Sequence, residues 1–358
     1  MKILAIGATG FIGRHVVHQL VRSGHVVTIL HRGETNPVLP ERVEQILGHR
    51  DRLSDVVEDF RRFGPDVVLD MILFTERQAH ELVNALRGVA DRLVVVSSAD
   101  VYRNYDGFRL KPTAQPDPAP LDEDAPLRET RYPYRGYGLS FEHADDYDKI
   151  LVEQVVLDQP DLPATVLRLP AVYGPGDKGY RLRPYLQRMA DVRPAILLAD
   201  EQARWRWTRG YVGNVAAAIA LAVTDGRAAR CIYNVGENPT PTEREWVERI
   251  GAAAGGTVRW SRSRPTSCPR TYDSLSTGVM TYTRAPSVSE HNLGMPSPCL
   301  MKMRGNARSR GSDRICVKSI GRTTRRKMQF SIRGKRSNIA LEPSAPMTTE
   351  RAAAQRRR

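Results

Sequence analysis

KILAIGATGFIGRHVVHQLVRSG, residues 2 to 24, is the stretch on which the fold turns. KILAI is an apolar run that stops at Gly7, and from Phe11 onward apolar residues recur at helical spacing until Gly24 closes the pattern. A strand, a glycine turn and a helix are implied. Gly7, Gly10 and Gly13 fall between them, where the chain must turn tightly, let a pyrophosphate approach the backbone, and start a helix whose N-terminus faces the phosphates. Incidental glycines in a tight turn are the blander alternative, and their position between strand and helix speaks against it.

Outward from this unit the pattern repeats. VVTIL (26–30), VEQIL (43–47), DVVLDM (66–71), RLVVVSS (92–98) and ATVLRL (164–169) read as further strands. DRLSDVVEDFRRF and ERQAHELVNALRGV read as helices between them, and HADDYDKILVEQ (143–154) as an amphipathic helix before the sixth strand. Continuous Val, Ile and Leu runs alternating with amphipathic helices point to a parallel sheet covered on both faces. The expected fold class is therefore α/β, a doubly wound, Rossmann-type parallel sheet. The second strand ends in LHRGE, which sets Arg32 where a 2′-phosphate could be paired, with Glu34 close enough to compete; this favours NADP slightly over NAD.

GATGFIG, SSADVY (97–102), Lys149 within DKILVE and RLPAVYGPGD (168–177) together resemble the extended short-chain dehydrogenase/reductases, the NAD-dependent epimerase/dehydratase family. The resemblance spans about residues 1 to 256 and includes RWTRGYVGNVAAAIALAV (204–223) and CIYNVGE (231–237). It implies a cofactor domain with a smaller substrate-binding portion, here about 171–200 and 226–256. It also implies a bound nicotinamide acting on a nucleotide sugar or related carbonyl or alcohol, and a homodimer. Carried over by position, Gly7, Thr9, Gly10, Phe11, Ile12, Gly13, Arg32, Lys149, Pro170 and Val172 form the cofactor-binding set, and Ser98, Asp145 and Lys149 the catalytic one. Ser98 would polarise the substrate oxygen, although a serine capping the turn after a strand is the ordinary alternative. Tyr102 is expected to pack rather than react.

The family's reactive pair is Tyr-x-x-x-Lys, because four residues on a helix bring both side chains to one face and the lysine lowers the phenol pKa. Four residues before Lys149 stands Asp145. Tyr147 is two positions away, about 200° round a helix of 3.6 residues per turn, and is set aside. Three readings stay open. Asp145 and Lys149 form an i,i+4 pair while Tyr132, Tyr134 or Tyr137 of RYPYRGYG supplies the proton; or Asp145 is itself the acid/base; or the proton relay is lost. In the last case the alternative is a non-catalytic nucleotide-binding or RNA-binding protein. The acids of 145–148 also read as a solvated helix face.

Charge divides the chain. Residues 257–358 hold 22 of the 54 Lys and Arg and 5 of the 40 Asp and Glu, a net +17, which leaves −3 for residues 1–256. Cys231 is alone in the front part and Cys268, Cys299 and Cys316 follow without Cys-x-x-Cys spacing, so neither a disulfide framework nor a metal site is expected; His15 and His18 read as surface residues. The longest apolar run, VAAAIALAV (215–223), is short of the about 20 residues that span a bilayer. With no leader before the first strand, a cytoplasmic protein without membrane contact is expected. A capping box at Thr242 and Glu245 opens a last helix, TEREWVERIGAAAGG. From 257 the periodicity ends, and the segment reads as a basic tail translated out of frame. The alternative is a disordered polyanion-binding segment using RTTRRK (322–327), RGKR (333–336) and the terminal RRR, although it lacks the aromatic-basic interleaving of stacking platforms.

Overall fold

β1 (Lys2–Ile6) sends Ile3 and Ala5 to one side of the sheet and Leu4 and Ile6 to the other, and all four are inaccessible to solvent. That two-sided burial is what a continuous apolar strand demands. The computed structural model describes residues 1–34, 38–109, 117–193, 195–262 and 277–284. After β1 come α1 (Phe11–Arg22), β2 (Val26–His31), β3 (Glu44–Leu47), α2 (Val57–Phe63), β4 (Val67–Asp70), α3 (Glu76–Leu86), β5 (Arg92–Ser98) and α4 (Arg103–Arg109). The second half holds α5 (Lys149–Leu157), β6 (Ala164–Leu169), β7 (Ala171–Tyr173), α6 (Arg183–Ala190), β8 (Ile196–Ala199), α7 (Asp200–Arg204), β9 (Arg209–Tyr211), α8 (Val212–Thr224), β10 (Ile232–Asn234) and α9 (Glu243–Ala253).

Seven strands form one parallel sheet in the order β10-β6-β5-β4-β1-β2-β3. On one face Val16, Val17 and Leu20 of α1 pack with Val215, Ile219 and Ala222 of α8 over Ile3, Ala5, Val27 and Val94. On the other, Phe60 of α2, Leu82 and Leu86 of α3, and Val152 and Val156 of α5 cover Leu4, Ile6, Val68, Val95 and Val166. Each fully buried aliphatic side chain contributes about 1.5–3 kcal/mol relative to exposure. The doubly wound α/β sheet expected from the strand runs is the one observed, and the strand order reverses beside β1, where such sheets bind ligands.

The smaller portion gathers a third cluster: Tyr173, Met189, Ile196 and Leu198 meet Trp246, Val247 and Ile250 of α9. α9 starts at the expected capping box, Thr242 Oγ1 accepting from Glu245 N (3.2 Å) and Glu245 Oε2 from Thr242 N (2.7 Å). One expectation is corrected. The helix read over 143–154 does not form as one element: Ala144–Asp146 make a single 3₁₀ turn, Tyr147 is extended (φ −64°, ψ 121°), and α5 begins only at Lys149. Regular structure also continues past residue 256, since β11 (Gly256–Arg262) and β12 (Thr277–Arg284) form an antiparallel sheet with β8. The change in composition at 257 therefore does not coincide with the end of the sheet structure. The basic clusters at 322–327 and 333–336 and the terminal arginines lie outside the described residues. Among the described residues no helix is long and apolar enough to cross a membrane.

Candidate active site

The glycine loop is built to take a large group. Gly7 has φ +73°, a left-handed conformation that a side chain strains. Gly13 sits so close to the backbone of Ala8 that a Cβ would stand 2.5 Å from it. A Cβ on Gly10, by contrast, would meet nothing within 4 Å, so open space lies over the residue that caps α1. That helix has neither a side-chain cap nor an acid in its first turn, which leaves its first N–H groups and its positive dipole end to an anion. The loop fits the pyrophosphate of a dinucleotide. Phe11 and Ile12 pack against the core behind it, Thr9 is half-buried, and Val172 is buried in the same core cluster. Pro170 stands close to Gly210 and Gly236, with its Cγ 3.2 Å from where a Cβ on Gly210 would lie.

Arg32 lies just beyond β2 and is exposed. Its guanidinium pairs with Glu34 and with Glu142, each at 2.9 Å, so the competition expected from Glu34 is present and a second carboxylate joins it. Glu142 belongs to the segment leading to Tyr147, and beside it His143 Nε2 stands 3.0 Å from Asp51. His49, Asp51 and Glu142 each bring a ligand-type atom within 4.8 Å of the others. Asp51 also accepts from Gln78 (2.6 Å), so these carboxylates already serve hydrogen bonds and ion pairs.

The chemical centre forms at the C-terminal ends of β4 and β5. Asp148 is the N-cap of α5, its Oδ1 accepting from Ile150 N (3.0 Å), and it is held by a wholly buried ion pair with Arg128 at 2.7 Å. Asp148 also accepts from Tyr132 N (2.9 Å). Because the backbone is extended at 147 and 148, residues 147 and 149 project to the same side, as alternate residues of a strand do. The rotation of about 200° that set Tyr147 aside applies to a helix, and the helix has not begun there. Tyr147 is buried, its hydroxyl donates to Asp100 Oδ2 (2.7 Å), and it also hydrogen-bonds Ser98. Lys149 Nζ lies 5.9 Å from the Tyr147 ring and donates to the carbonyls of Leu73 (2.6 Å) and Val96 (2.9 Å). Tyr134 donates to the same Asp100 oxygen at 3.1 Å.

Ser98 Oγ accepts from Asp100 N (3.2 Å), capping the turn after β5 as its ordinary reading expects, and its side chain lies beside the Tyr147 hydroxyl. Asp145 is a correction. It is exposed, its carboxylate accepts from Gly136 N (2.9 Å) and its carbonyl from Arg135, and the i,i+4 pair with buried Lys149 does not form because the two residues are not on one helix. Of the three loop tyrosines, Tyr134 joins the cluster. Burial pushes the Lys149 ammonium down to about 8, although the charges of Asp100, Asp70 and Glu153 oppose the shift. Burial also raises Tyr147 well above the usual phenol range, with the Asp100 charge adding to it. Asp100 is raised by burial against the hydrogen bonds of Tyr147 and Tyr134 and the charges of Arg128 and Lys149.

Sequence reasoning missed Tyr147 and Asp100. The signal for Tyr147 was Asp148: an aspartate two residues before the apolar run Ile150-Leu151-Val152 is a helix start, and a start at 149 frees residue 147 from helical spacing. For Asp100 only its place two residues beyond the end of β5 pointed to the ligand end of the sheet.

A glycine loop with open space over Gly10 stands at the strand-order reversal, and a serine, a tyrosine and a lysine gather at the neighbouring strand ends, the edge at which such sheets bind ligands. The chain belongs to the NAD dependent epimerase/dehydratase family, whose profile matches residues 3–236. Its relatives are enzymes. It is 28% identical over 262 residues to 2′-dehydrokanamycin reductase of Streptomyces kanamyceticus, covering 71% of this chain and 67% of that one. It is 30% identical over 201 residues to dTDP-4-dehydro-6-deoxy-D-allose reductase of a Streptomyces species, covering 49% of this chain and 57%, less than two thirds, of that relative. Among solved structures, the Bordetella bronchiseptica enzyme WbmG in complex with NAD and UDP superposes with a TM-score of 0.55 at 16% identity, over 76% of this chain and 84% of that one. At that identity the likeness is one of fold.

Proposed function

We propose that the protein is a nicotinamide-dependent reductase or dehydrogenase of a sugar-derived carbonyl or alcohol, working with a Tyr-x-Lys pair, Tyr147 and Lys149, in place of the usual Tyr-x-x-x-Lys. The observation that carries this reading is the meeting of Ser98, Tyr147 and Lys149 at the ends of β4 and β5, beside the glycine loop. In this reading Gly7, Thr9, Gly10, Phe11, Ile12 and Gly13 receive the dinucleotide phosphates, and Pro170 and Val172 border the nicotinamide. When bound, the dinucleotide supplies or accepts the hydride. Ser98 and Tyr147 hydrogen-bond the substrate oxygen, and Tyr147 moves its proton. Lys149, charged below about pH 8, sets a positive potential over the site and reaches the nicotinamide ribose.

The smaller portion supports a substrate class. A cavity of about 640 Å³ opens after β7, lined by Gly174, Gly176, Lys178, Tyr180, Arg181 and Arg183 among others. Asp177 of the same lining pairs with Arg181 at 2.8 Å, which leaves Lys178 and Arg183 as the cations that suit a nucleotide sugar, of the kind named for the allose reductase relative. Arg32 favours NADP slightly over NAD, because its two ion pairs are exposed and a phosphate can replace a carboxylate in either. The test is titration of the full-length protein with NADPH and NADH, followed by turnover of a nucleotide-linked 4-keto sugar with either. Micromolar binding and turnover are expected. Binding without any turnover across a panel of 4-keto sugars and free keto sugars would favour the non-catalytic nucleotide-binding alternative.

A further inference from the structure

Tyr147 departs from the usual logic of its chemistry. A tyrosine acting as resting base needs a depressed pKa, and this one is enclosed, beside a carboxylate, and shifted the opposite way. Its hydroxyl is already committed as a donor, to Asp100 Oδ2 at 2.7 Å. Asp100 itself is 5% exposed, and its Oδ2 receives a second phenol, Tyr134, at 3.1 Å. The other oxygen, Oδ1, is buried without a hydrogen-bond partner. A buried, unpartnered carboxylate oxygen is costly, and a proton placed on that carboxyl removes the charge without breaking either phenol bond. From Tyr134 the hydroxyl of Tyr105, on α4, is 2.9 Å away, and both of these tyrosines are only half-buried. A hydrogen-bonded row therefore runs Tyr147, Asp100, Tyr134, Tyr105, from the enclosed centre outward.

We propose that Asp100 holds the proton exchanged in the reaction, taking it from and returning it to the substrate through the Tyr147 hydroxyl. The inference rests on the oxidoreductase reading above. In the oxidative direction the alcohol O–H proton passes to the Tyr147 oxygen while the Tyr147 proton passes to Asp100 Oδ2. The C–H hydrogen leaves with its electron pair for the oxidised nicotinamide, and the C–O single bond becomes a double bond. Asp100 ends as a carboxylic acid and Tyr147 as the neutral phenol it was at the start; the proton leaves once the Tyr134 hydroxyl turns to accept it from Asp100 and gives its own proton on through the Tyr105 hydroxyl to solvent. Reduction runs the same transfers backward, with Asp100 starting protonated. Tyr147 never accumulates as phenolate, so its high pKa is no obstacle. Asp100 acts through Tyr147 and does not touch substrate.

Two readouts on the full-length protein test this. The first needs neither cofactor nor substrate: an infrared difference spectrum of wild type against Asp100→Asn, followed from about pH 4 to 8, above the ordinary aspartate range. A protonated-carboxyl band that is present in wild type within that window and missing in the variant is expected; identical spectra throughout overturn the proposal. Should Asp100→Asn not fold, Tyr147→Phe removes one donor from Oδ2 and must shift the same band, and an unmoved band overturns the assignment. The second readout is the pH profile of turnover. Oxidation should rise and reduction fall as pH climbs through the Asp100 pKa. Asp100→Asn, which keeps the shape and hydrogen bonds of the side chain, should lower turnover about 100-fold and flatten that limb. A merely structural Asp100 would leave the limb in place. Absence of any turnover by wild type counts against the oxidoreductase reading, while the infrared result stands by itself.

Discussion

Two ion-paired arginines flank the segment 141–149, and they differ in nearly every physical respect. Arg32 pairs with Glu34 and Glu142 in the open, its side chain 43% exposed and its partners more so. Arg128 pairs with Asp148 with both side chains fully enclosed. An exposed pair is worth about 0–1 kcal/mol and is remade readily, whereas removing one partner of an enclosed pair costs about 3–5 kcal/mol because the other charge is stranded. The same chemical contact is thus exchangeable on the side expected to read the adenosine ribose and fixed on the side that orients the reacting groups. On the proposed reading, specificity would be adjusted at Arg32 without disturbing Tyr147, while the fixed anchor holds the chain at Asp148, between residues 147 and 149.

The largest effect should come from breaking the fixed side. Asp148→Ala strands the Arg128 guanidinium, removes the N-cap of α5, and releases Tyr132 N. A loss of about 3–5 kcal/mol in urea unfolding is expected. A change below about 1 kcal/mol, the range of exposed pairs, would mean that the anchor is not what separates the two sides.

Next is Tyr147→Phe, which should lower kcat on a keto-sugar substrate by about 100- to 10,000-fold while NADPH binding stays within about twofold. Asp145→Asn should change neither by more than about twofold, since Asp145 is exposed and bonded to Gly136 N. Reversal of these two outcomes would restore the helix-spacing argument. The pair also marks how far the sequence could be read. The sheet was legible because strands buried on both faces write themselves as unbroken Val, Ile and Leu runs, and the glycine loop because Gly7 and Gly13 answer to backbone geometry while Gly10 keeps open space over the start of α1. Lys149 and Ser98 came from the family resemblance, Ser98 also from its place at the end of a strand. Tyr147 was not, because periodicity across 143–154 suggested one helix and the capping signal at Asp148 outweighs it. Asp100 was hidden for another reason: its importance lies in contacts with residues 34 and 47 positions away, which no local pattern encodes. The strands at 256–262 and 277–284 were passed over for a third reason, their composition lacking the apolar runs that marked the main sheet.

Lys149 sharpens the contrast through pH. Its pKa is lowered to about 8, so it is charged below that value and neutral above it. Dinucleotide affinity should fall as pH rises through about 8 and level off beyond, and Lys149→Met should bind weakly with no such step. Stability moves the other way: from about 8 up to the ordinary lysine value the unfolded chain holds the proton more firmly, so unfolding free energy gains with pH over that window. The gain should be absent in Lys149→Met. A Lys149 titrating near its ordinary value would remove both effects.

The smallest effects belong to the open side, and they separate two roles for Arg32. Arg32→Ala should weaken NADPH by about tenfold, roughly 1.4 kcal/mol, and leave NADH nearly unchanged. Glu142→Gln should do the reverse, strengthening NADPH by a few-fold, because it withdraws one of the two carboxylates that a 2′-phosphate must displace while leaving the neighbouring Glu34 in place. Both shifts should shrink at high salt, as exposed electrostatics do, with the effect of Asp148→Ala on unfolding hardly altered. Equal loss of NADPH and NADH in Arg32→Ala would instead make Arg32 a tether for segment 141–143 through Glu142. The two arginines would then share one task, holding the chain that carries Tyr147, and the choice of cofactor would have to be made elsewhere in the cleft.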